Sequence, residues 1–291
     1  MISLFDRRSR RLNRLKRINC IACDLDGTLL RSDNEISSEV LAAANEAVQA
    51  GVRIVLASGR TDSFTRHYAE QLGIDTPIIS LNGSLVRQNE QGALSASLLP
   101  EKLGKEIEAV QQLGTAAASV SVFTESGIFV EDEHPAIPRY LRTKHDEVFR
   151  IASLSAMYSR AVLIVLSGEY NAVQRYSIAI SRRFGRKLQR TMYQSGSGSD
   201  RFYLEIRNAH TNKATGLAFV LNHLGLQPKQ CASIGDYTND LEMCKFTGVS
   251  AAMRNGCDEL KAVADVVTLR SNDEDGVAEF LRLILAQRGR G

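Results

Sequence analysis

Two aspartates stand two residues apart at the end of a short apolar run: Ile18 to Cys23 leads straight into Asp24-Leu25-Asp26-Gly27-Thr28. Residues i and i+2 of a strand share a face, so both carboxylates can point into the crevice at the edge of an open α/β sheet, where such folds place their chemistry. Carboxylates held this close repel each other. A site that keeps both ionised calls for a cation, and a hard, oxygen-liganded Mg²⁺ is the natural partner. Read without a site, the same stretch is a strand ending in an Asx-type turn, with Gly27 supplying a left-handed residue and Thr28 capping the next turn.

Three further segments place polar groups at strand ends or helix starts. Ser58-Gly59-Arg60 follows the apolar run Val52 to Ala57, Lys213 opens an amphipathic stretch reaching Leu224, and Gly235-Asp236-Tyr237-Thr238-Asn239-Asp240 follows Cys231 to Ile234. Singly, each has a bland reading: a helix cap, a solvated charge, a turn. In this order they resemble the haloacid dehalogenase (HAD) superfamily, and within it the Cof-like (type IIB, C2-capped) phosphatases. The resemblance runs from Ile18 to about Ile284 and takes in Asn82-Gly83, Ala252-Met253-Arg254-Asn255-Gly256 and the stretch Asn272 to Val277. The chain departs from the family pattern at Ala214, commonly Gly, in the lead-in Asn208 to Asn212, which lacks the usual proline, and at Ser58, which replaces a commoner threonine and keeps the hydroxyl.

The resemblance implies a Mg²⁺-dependent phosphatase that forms an aspartyl-phosphate, with Asp24 as nucleophile and Asp26 as general acid and base. It assigns Mg²⁺ to Asp24, to Asp26 through its main-chain carbonyl, and to Asp236, with Asp240 in the same acidic group. Asp240 and Asn239 orient that shell or touch substrate. Ser58 and the Gly59 amide bind phosphoryl oxygens at a helix N-terminus, and Lys213 neutralises charge on Asp24 and on the phosphoryl group. Arg60 either contacts phosphate or forms an ion pair that supports the loop. The expected substrate is a small phosphate ester, such as a sugar phosphate, a nucleotide or a cofactor phosphate. A phosphotransferase or phosphomutase shares the intermediate, and a non-catalytic binding module is the remaining alternative.

These residues need a frame to hold them. Strand and helix alternate over Ile18–Cys23, a helix capped by Ser37 and closed by Gly51, Val52–Ala57, Thr61–Leu72 and Pro77–Leu81. This βαβαβ order predicts a doubly wound, Rossmann-like parallel sheet. After Asn82-Gly83 the pattern turns to hairpins and isolated helices, and the core rhythm returns at Lys213. The expectation is an α/β core from 18–84 and 207–291, an α+β cap over 85–206 that closes on the leaving group, and a basic arm over 1–17. The Gly/Ser run Ser195 to Ser199 lies between two strand-like stretches and reads as a hairpin tip. Polar cap residues such as Glu125, Glu131, Asp132, His134, Arg139 and Tyr193 read as solvated surface.

The 291 residues carry a net charge of +3, concentrated at the start: Met1 to Arg17 holds seven Lys or Arg against Asp6. That arm reads as a solvated, partly disordered lead-in, with no nucleic acid expected and weak contact with an anionic surface left open. No apolar run approaches the roughly 18–20 residues of a membrane span, and no signal-type segment follows the basic stretch, so a cytoplasmic protein is expected. Cys20 and Cys23 have CxxC spacing, but i and i+3 of a strand face opposite sides of a sheet, which predicts buried, reduced thiols and no metal site.

Overall fold

The computed structural model describes residues 14–88, 92–114, 117–132, 136–142, 144, 146–196 and 199–288. His134, part of the turn at 89–91 and most of the basic arm lie outside them. The first elements are β1 (Cys20–Cys23), α1 (Ser38–Gln49), β2 (Arg53–Leu56), α2 (Asp62–Gln71), β3 (Ile78–Ser80) and β4 (Leu85–Arg87). Then come β5 (Ala93–Ala96), α3 (Lys102–Gln112), β6 (Ala118–Thr124), β7 (Gly127–Val130), β8 (Val148–Arg150), β9 (Leu163–Glu169), α4 (Tyr170–Phe184), β10 (Leu188–Gln194) and β11 (Arg201–Asn208). The chain closes with α5 (Lys213–His223), β12 (Cys231–Gly235), α6 (Leu241–Phe246), β13 (Val249–Ala252), α7 (Asp258–Val263), β14 (Val266–Val267) and α8 (Gly276–Arg288).

Two compact units result, one from Met1–Gln91 with Asn212–Gly291 and the other from Gly92–Thr211. The boundaries therefore differ from the expected 85 and 207. Leu85–Arg87 belongs with the first unit because it pairs antiparallel with Ile78–Ser80. At the other end Thr211 stays with the second, where its hydroxyl meets that of Ser97 at 2.7 Å.

In the first unit five strands lie parallel in the order β14-β13-β12-β1-β2. Alternation along each strand fills both faces. Ile21, Cys23, Ile54, Leu56, Ala232 and Ile234 enter one apolar cluster with α1, α2 and α8. Their neighbours Cys20, Ala22, Val55, Ala57 and Cys231 enter another with α5. A sheet buried on both sides reads as a continuous apolar run, which is why period-2 polarity is missing from these strands. Cys20 and Cys23 thus sit in different clusters, as the CxxC reading requires, and all five cysteines are free thiols. No helix among the described residues is long and apolar enough to cross a membrane.

The described end of the basic arm is anchored to the core, although Arg14, Lys16 and Arg17 stay exposed. Leu15 and Ile18 are buried in the core cluster, and Arg14 donates to the Gly248 carbonyl at 2.9 Å and pairs with Asp265. The apolar spacing of Leu15 and Ile18 wins over the surrounding charge because a buried leucine contributes roughly 1.5–3 kcal/mol.

The second unit is a six-stranded sheet in the order β10-β11-β9-β6-β7-β8, antiparallel except for β7 with β8. Residues from α3 and α4, including Ile107, Val110, Val173 and Ile180, share one cluster with Val120, Val122, Ile164, Leu166, Leu204 and Ile206. The run at 195–199 joins β10 to β11, with the Ser195 amide bonded to the Arg201 carbonyl. Its residues 197 and 198 lie outside the described residues.

Helix α1 starts where Ser37 accepts the Val40 amide at 3.1 Å. Ser37→Ala is expected to lower stability by about 1 kcal/mol. Urea unfolding checks this as a lower midpoint at unchanged slope.

Candidate active site

Strand β1 is the point where the order of the parallel sheet reverses: β2 follows it in sequence and lies on one side, while β12, far along the chain, lies on the other. Open α/β sheets bind ligands at such a switch point, off the C-terminal strand ends. Asp24 comes directly off β1, its amide bonded to the Ile234 carbonyl of β12, and it is buried. Asp236 comes off β12 in the same way, and Ser58 follows β2.

Lys213 reaches the same place from the first turn of α5. Asn212 caps that helix in a reciprocal box: its side chain accepts the Thr215 amide at 3.0 Å and the Thr215 hydroxyl accepts the Asn212 amide at 3.1 Å. Leu217, Val220 and Leu221, at i, i+3 and i+4, are buried and fix the helix on the sheet. Gly216 lets it come close, since a Cβ there would stand 2.7 Å from Ile79 Cγ2. The helix is thus capped without the proline usual in the lead-in, and Ala214 lies in its first turn.

The Lys213 ammonium is wholly buried and donates to Asp24 Oδ1 at 2.5 Å and to Asp240 Oδ1 at 2.7 Å. Asp240 Oδ2 in turn accepts the amides of Asp236 and Tyr237, at 3.1 and 3.2 Å. Gly235 makes room for this carboxylate, because a Cβ there would lie 2.4 Å from Asp240 Cγ. Thr28, which the sequence shows only as a turn residue, donates to Asp24 Oδ2 at 3.1 Å and lies 3.5 Å from Asp236 Oδ1. Carboxylate oxygens of Asp24, Asp236 and Asp240 all fall within 4.8 Å of one another, a group able to hold a metal ion.

Burial opposes the charge on Lys213, but Asp24 and Asp240 outweigh it and hold the ammonium above the ordinary lysine range. Burial and the Asp240 charge raise Asp24 well above the usual carboxylate range against the pull of Lys213. The same two causes push Asp236 up to about 6. Three carboxylates against one ammonium leave an excess of negative charge in a buried place, and the site relieves it by binding protons or, equally, a cation.

Asp26 is not in this acidic group. Its side chain is partly exposed and accepts from Arg60 on both oxygens, at 2.9 Å from Nε and 2.5 Å from Nη2, while the guanidinium lies 4.7 Å from the centre of the Phe64 ring. Of the two roles open to Arg60, the structure contains the ion pair. Ser58 is fully buried, and its Oγ accepts the Arg60 amide at 3.1 Å. Helix α2 begins at Asp62 with Thr61 as its cap, so Ser58 and Gly59 lie in the turn before that helix rather than at its N-terminus. Accepting from Arg60 leaves the Ser58 hydroxyl able to donate.

Next to that turn stands a left-handed run: Leu81, Asn82 and Gly83 have φ of 49°, 54° and 91°. Two of its amides are tied down, Leu81 to the Arg60 carbonyl and Asn82 to that of Ser58. Asn239, expected at substrate or at the metal shell, instead donates to Asn82 Oδ1 at 3.0 Å. Asn255 donates to the Gly27 carbonyl at 2.7 Å and accepts the Asn272 amide at 3.0 Å, so two of the lesser motifs serve to brace the Asp24 loop. In the second unit Tyr193 is not solvated surface; it donates to Glu205 Oε1 at 2.5 Å, and Glu131 accepts the Leu154 amide at 2.7 Å.

A parallel α/β sheet with a buried lysine and three carboxylates gathered at its switch point defines a hydrolase-type core. The haloacid dehalogenase-like hydrolase family matches residues 21–281, and the chain belongs to it. Among curated relatives, a 5-amino-6-(5-phospho-D-ribitylamino)uracil phosphatase of Bacillus subtilis is 27% identical over 266 residues, covering 90% of this chain and 96% of its own. An HMP-PP phosphatase of Serratia proteamaculans is 25% identical over 267 residues, covering 90% and 93%. A haloacid dehalogenase-like hydrolase from Bacteroides thetaiotaomicron shares the fold, with a TM-score of 0.75, 24% identity, and coverage of 92% of this chain and 99% of that one. So does a protein from Thermotoga maritima, at 0.77, 24%, 91% and 97%.

The raised affinity of Asp236 for a proton has a testable sign. Its carboxyl lies near 3.9 in an unfolded chain and at about 6 in the metal-free fold. Its contribution to stability is present below about pH 4 and is lost as pH rises through about 6. Asp236→Asn mimics the neutral form, so in the presence of a chelator it should gain on the wild type across that window, by on the order of 1–2 kcal/mol allowing for its partial exposure. Urea midpoints at a series of pH values measure the difference, and a constant gap between the two proteins contradicts the assignment.

Proposed function

We propose that the protein is a Mg²⁺-dependent phosphatase that hydrolyses a small phosphorylated metabolite through an aspartyl-phosphate at Asp24. The observation that carries this reading is the pairing of a buried Asp24 with the buried ammonium of Lys213 beside Asp236 and Asp240. The phosphatase names of its relatives support the reaction class, and the different esters in those names leave the substrate at the level of a small metabolite. Five free thiols accord with a reducing, cytoplasmic setting.

In this reading an Asp24 oxygen attacks phosphorus while the bond from phosphorus to the ester oxygen breaks. Asp26 gives its proton to the departing alkoxide. Water then attacks phosphorus, Asp26 takes the proton it loses, the bond to Asp24 breaks and orthophosphate leaves. Both Asp26 oxygens accept from Arg60, so its acid form requires that pair to loosen; a phosphoryl group drawing the guanidinium away would do so. Lys213 fixes the attacking carboxylate and balances charge built up on the phosphoryl oxygens. The Ser58 hydroxyl and the Gly59 amide are donors for those oxygens. Asp24 and Asp236 are the natural ligands for the cation, because Asp240 already accepts three hydrogen bonds and better serves to orient the loop. A bound Mg²⁺ would neutralise the excess negative charge and draw the phosphoryl group to the carboxylates.

The test is phosphate release from a panel of small phosphate esters with Mg²⁺ and with a chelator. Asp24→Asn should lower turnover by at least about 10³-fold, as loss of a nucleophile does, and chelation should abolish it. Turnover that survives in Asp24→Asn, or that ignores the chelator, would rule the mechanism out.

A further inference from the structure

The N-terminal ends of the parallel strands lie at the end of the first unit opposite the aspartates, and cations collect there. The Asn19 amide bonds to the Gln230 carbonyl at 2.8 Å, and the Asn19 carbonyl accepts the Arg53 amide at 2.9 Å. Those two bonds bring the segment ending at Arg17 beside Lys229 and Arg53. Arg14 reaches the Gly248 carbonyl and Asp265, and Arg288 reaches the carbonyl of Ile18 and, at 2.8 Å, the side chain of Asn19. Six cations from four separate stretches of chain therefore share one end of the sheet.

Part of this charge is structural. Arg53 donates to the Leu224 carbonyl at 2.9 Å and Arg288 to that of Ala50 at 3.2 Å, the residues that close α5 and α1, where a cation suits the helix dipole. Lys16, Arg17 and Lys229 have no such task. All three are exposed, and among the described residues none of them has an ion-pair partner. The acids at this end are Asp265, which Arg14 occupies, and the exposed Asp75 in the loop before β3. Uncompensated cations gathered this closely favour an anionic partner.

The sequence leading into this end adds to the charge. Residues 1–13 lie outside the described ones and enter by composition alone: Arg7, Arg8, Arg10 and Arg11 stand against Asp6, with Ile2, Leu4 and Phe5 ahead of them. The whole chain is at +3, so these ten cations against three acids leave the remainder negative. Nucleic acid and an anionic membrane are both attracted by such a pole. The apolar residues decide between them. Apolar side chains next to a basic cluster combine burial at the acyl boundary with attraction to head groups, the two signals that together hold a protein to a bilayer. A phosphate backbone offers Ile2 and Leu4 nothing to bury against.

We propose that this end of the first unit, with the arm that leads into it, docks on an anionic lipid surface. Asp24 and Asp236 leave the opposite, C-terminal ends of β1 and β12, so the docked protein keeps its acidic crevice turned away from the bilayer. Docking does not depend on the phosphatase reading.

Sedimentation of the full chain with vesicles tests this, using phosphatidylcholine alone and phosphatidylcholine mixed with phosphatidylglycerol. Binding to the anionic vesicles only is expected at about 0.1 M salt, with loss at about 1 M, where the Debye length has fallen from ~10 to ~3 Å. Lys16→Gln, Arg17→Gln and Lys229→Gln together should weaken it about tenfold or more, since each charge near the surface is worth roughly fivefold; an unchanged urea midpoint shows that the fold is intact. Ile2→Ser with Leu4→Ser and Phe5→Ser should weaken vesicle binding and leave retention of duplex DNA unchanged. The proposal is overturned by absence of binding to anionic vesicles, by equal binding to neutral ones, by binding that either variant leaves unchanged, or by tighter retention of duplex DNA than of anionic vesicles.

Discussion

A lysine ammonium with no exposure to water is the constraint on which the first unit turns. Removing such a charge from water costs several kcal/mol unless it is paired and fully hydrogen-bonded. Lys213 offsets that cost by pairing with one oxygen each of Asp24 and Asp240, which are 189 and 27 residues away in the chain. The two carboxylates come off adjacent strands, Asp24 from β1 and Asp240 from the loop after β12, so the ion pairs can form only once N-terminal and C-terminal segments share a sheet. This places the switch point and the chemistry at one spot.

A strained turn lies beside the helix that carries that lysine. Two consecutive non-glycine residues, Leu81 and Asn82, hold positive φ, a conformation that costs of order 1–3 kcal/mol each. Four interactions fix it: the amide bonds to Arg60 and Ser58, the side-chain bond from Asn239, and Gly83, where a Cβ would stand 2.1 Å from the carbonyl of Asn212. Asn212 is the cap of the helix that carries Lys213. The strained turn, the Ser58 loop and the lysine helix are therefore one packed body, and each limits where the others can move.

The spacing of Asp24 and Asp26 and the order of Ser58, Lys213, Asp236 and Asp240 made the site legible, because those positions are strand ends and helix starts that local pattern marks well. What the pattern could not show is partnership. Thr28 reads as a turn residue because its role lies in two carboxylates brought to it by the fold. Asn239 has the right place in its motif, yet its side chain is taken by Asn82, a contact across 157 residues. The strand Val148–Arg150 escaped notice because three residues with little burial carry no alternation. The basic arm misled for the opposite reason: its charge count outweighed the apolar spacing of Leu15 with Ile18, whose burial decides where that segment goes.

Reaction and substrate are readable to different depths, and the physics of the two units says why. Any phosphate ester presents the same anionic group, and handling it demands a nucleophile, a cation and a balance of charge in a buried place; few residue types do this, and their spacing follows from the sheet. An alcohol can be recognised by many combinations of hydroxyls, amides and carboxylates on a sheet face. The row from Ser119 through Ser167 to Tyr203 shows how such a face is assembled: only the register of three strands, far apart in the chain, brings its members together. The first kind of information is written along the chain, while the second exists only after it has folded.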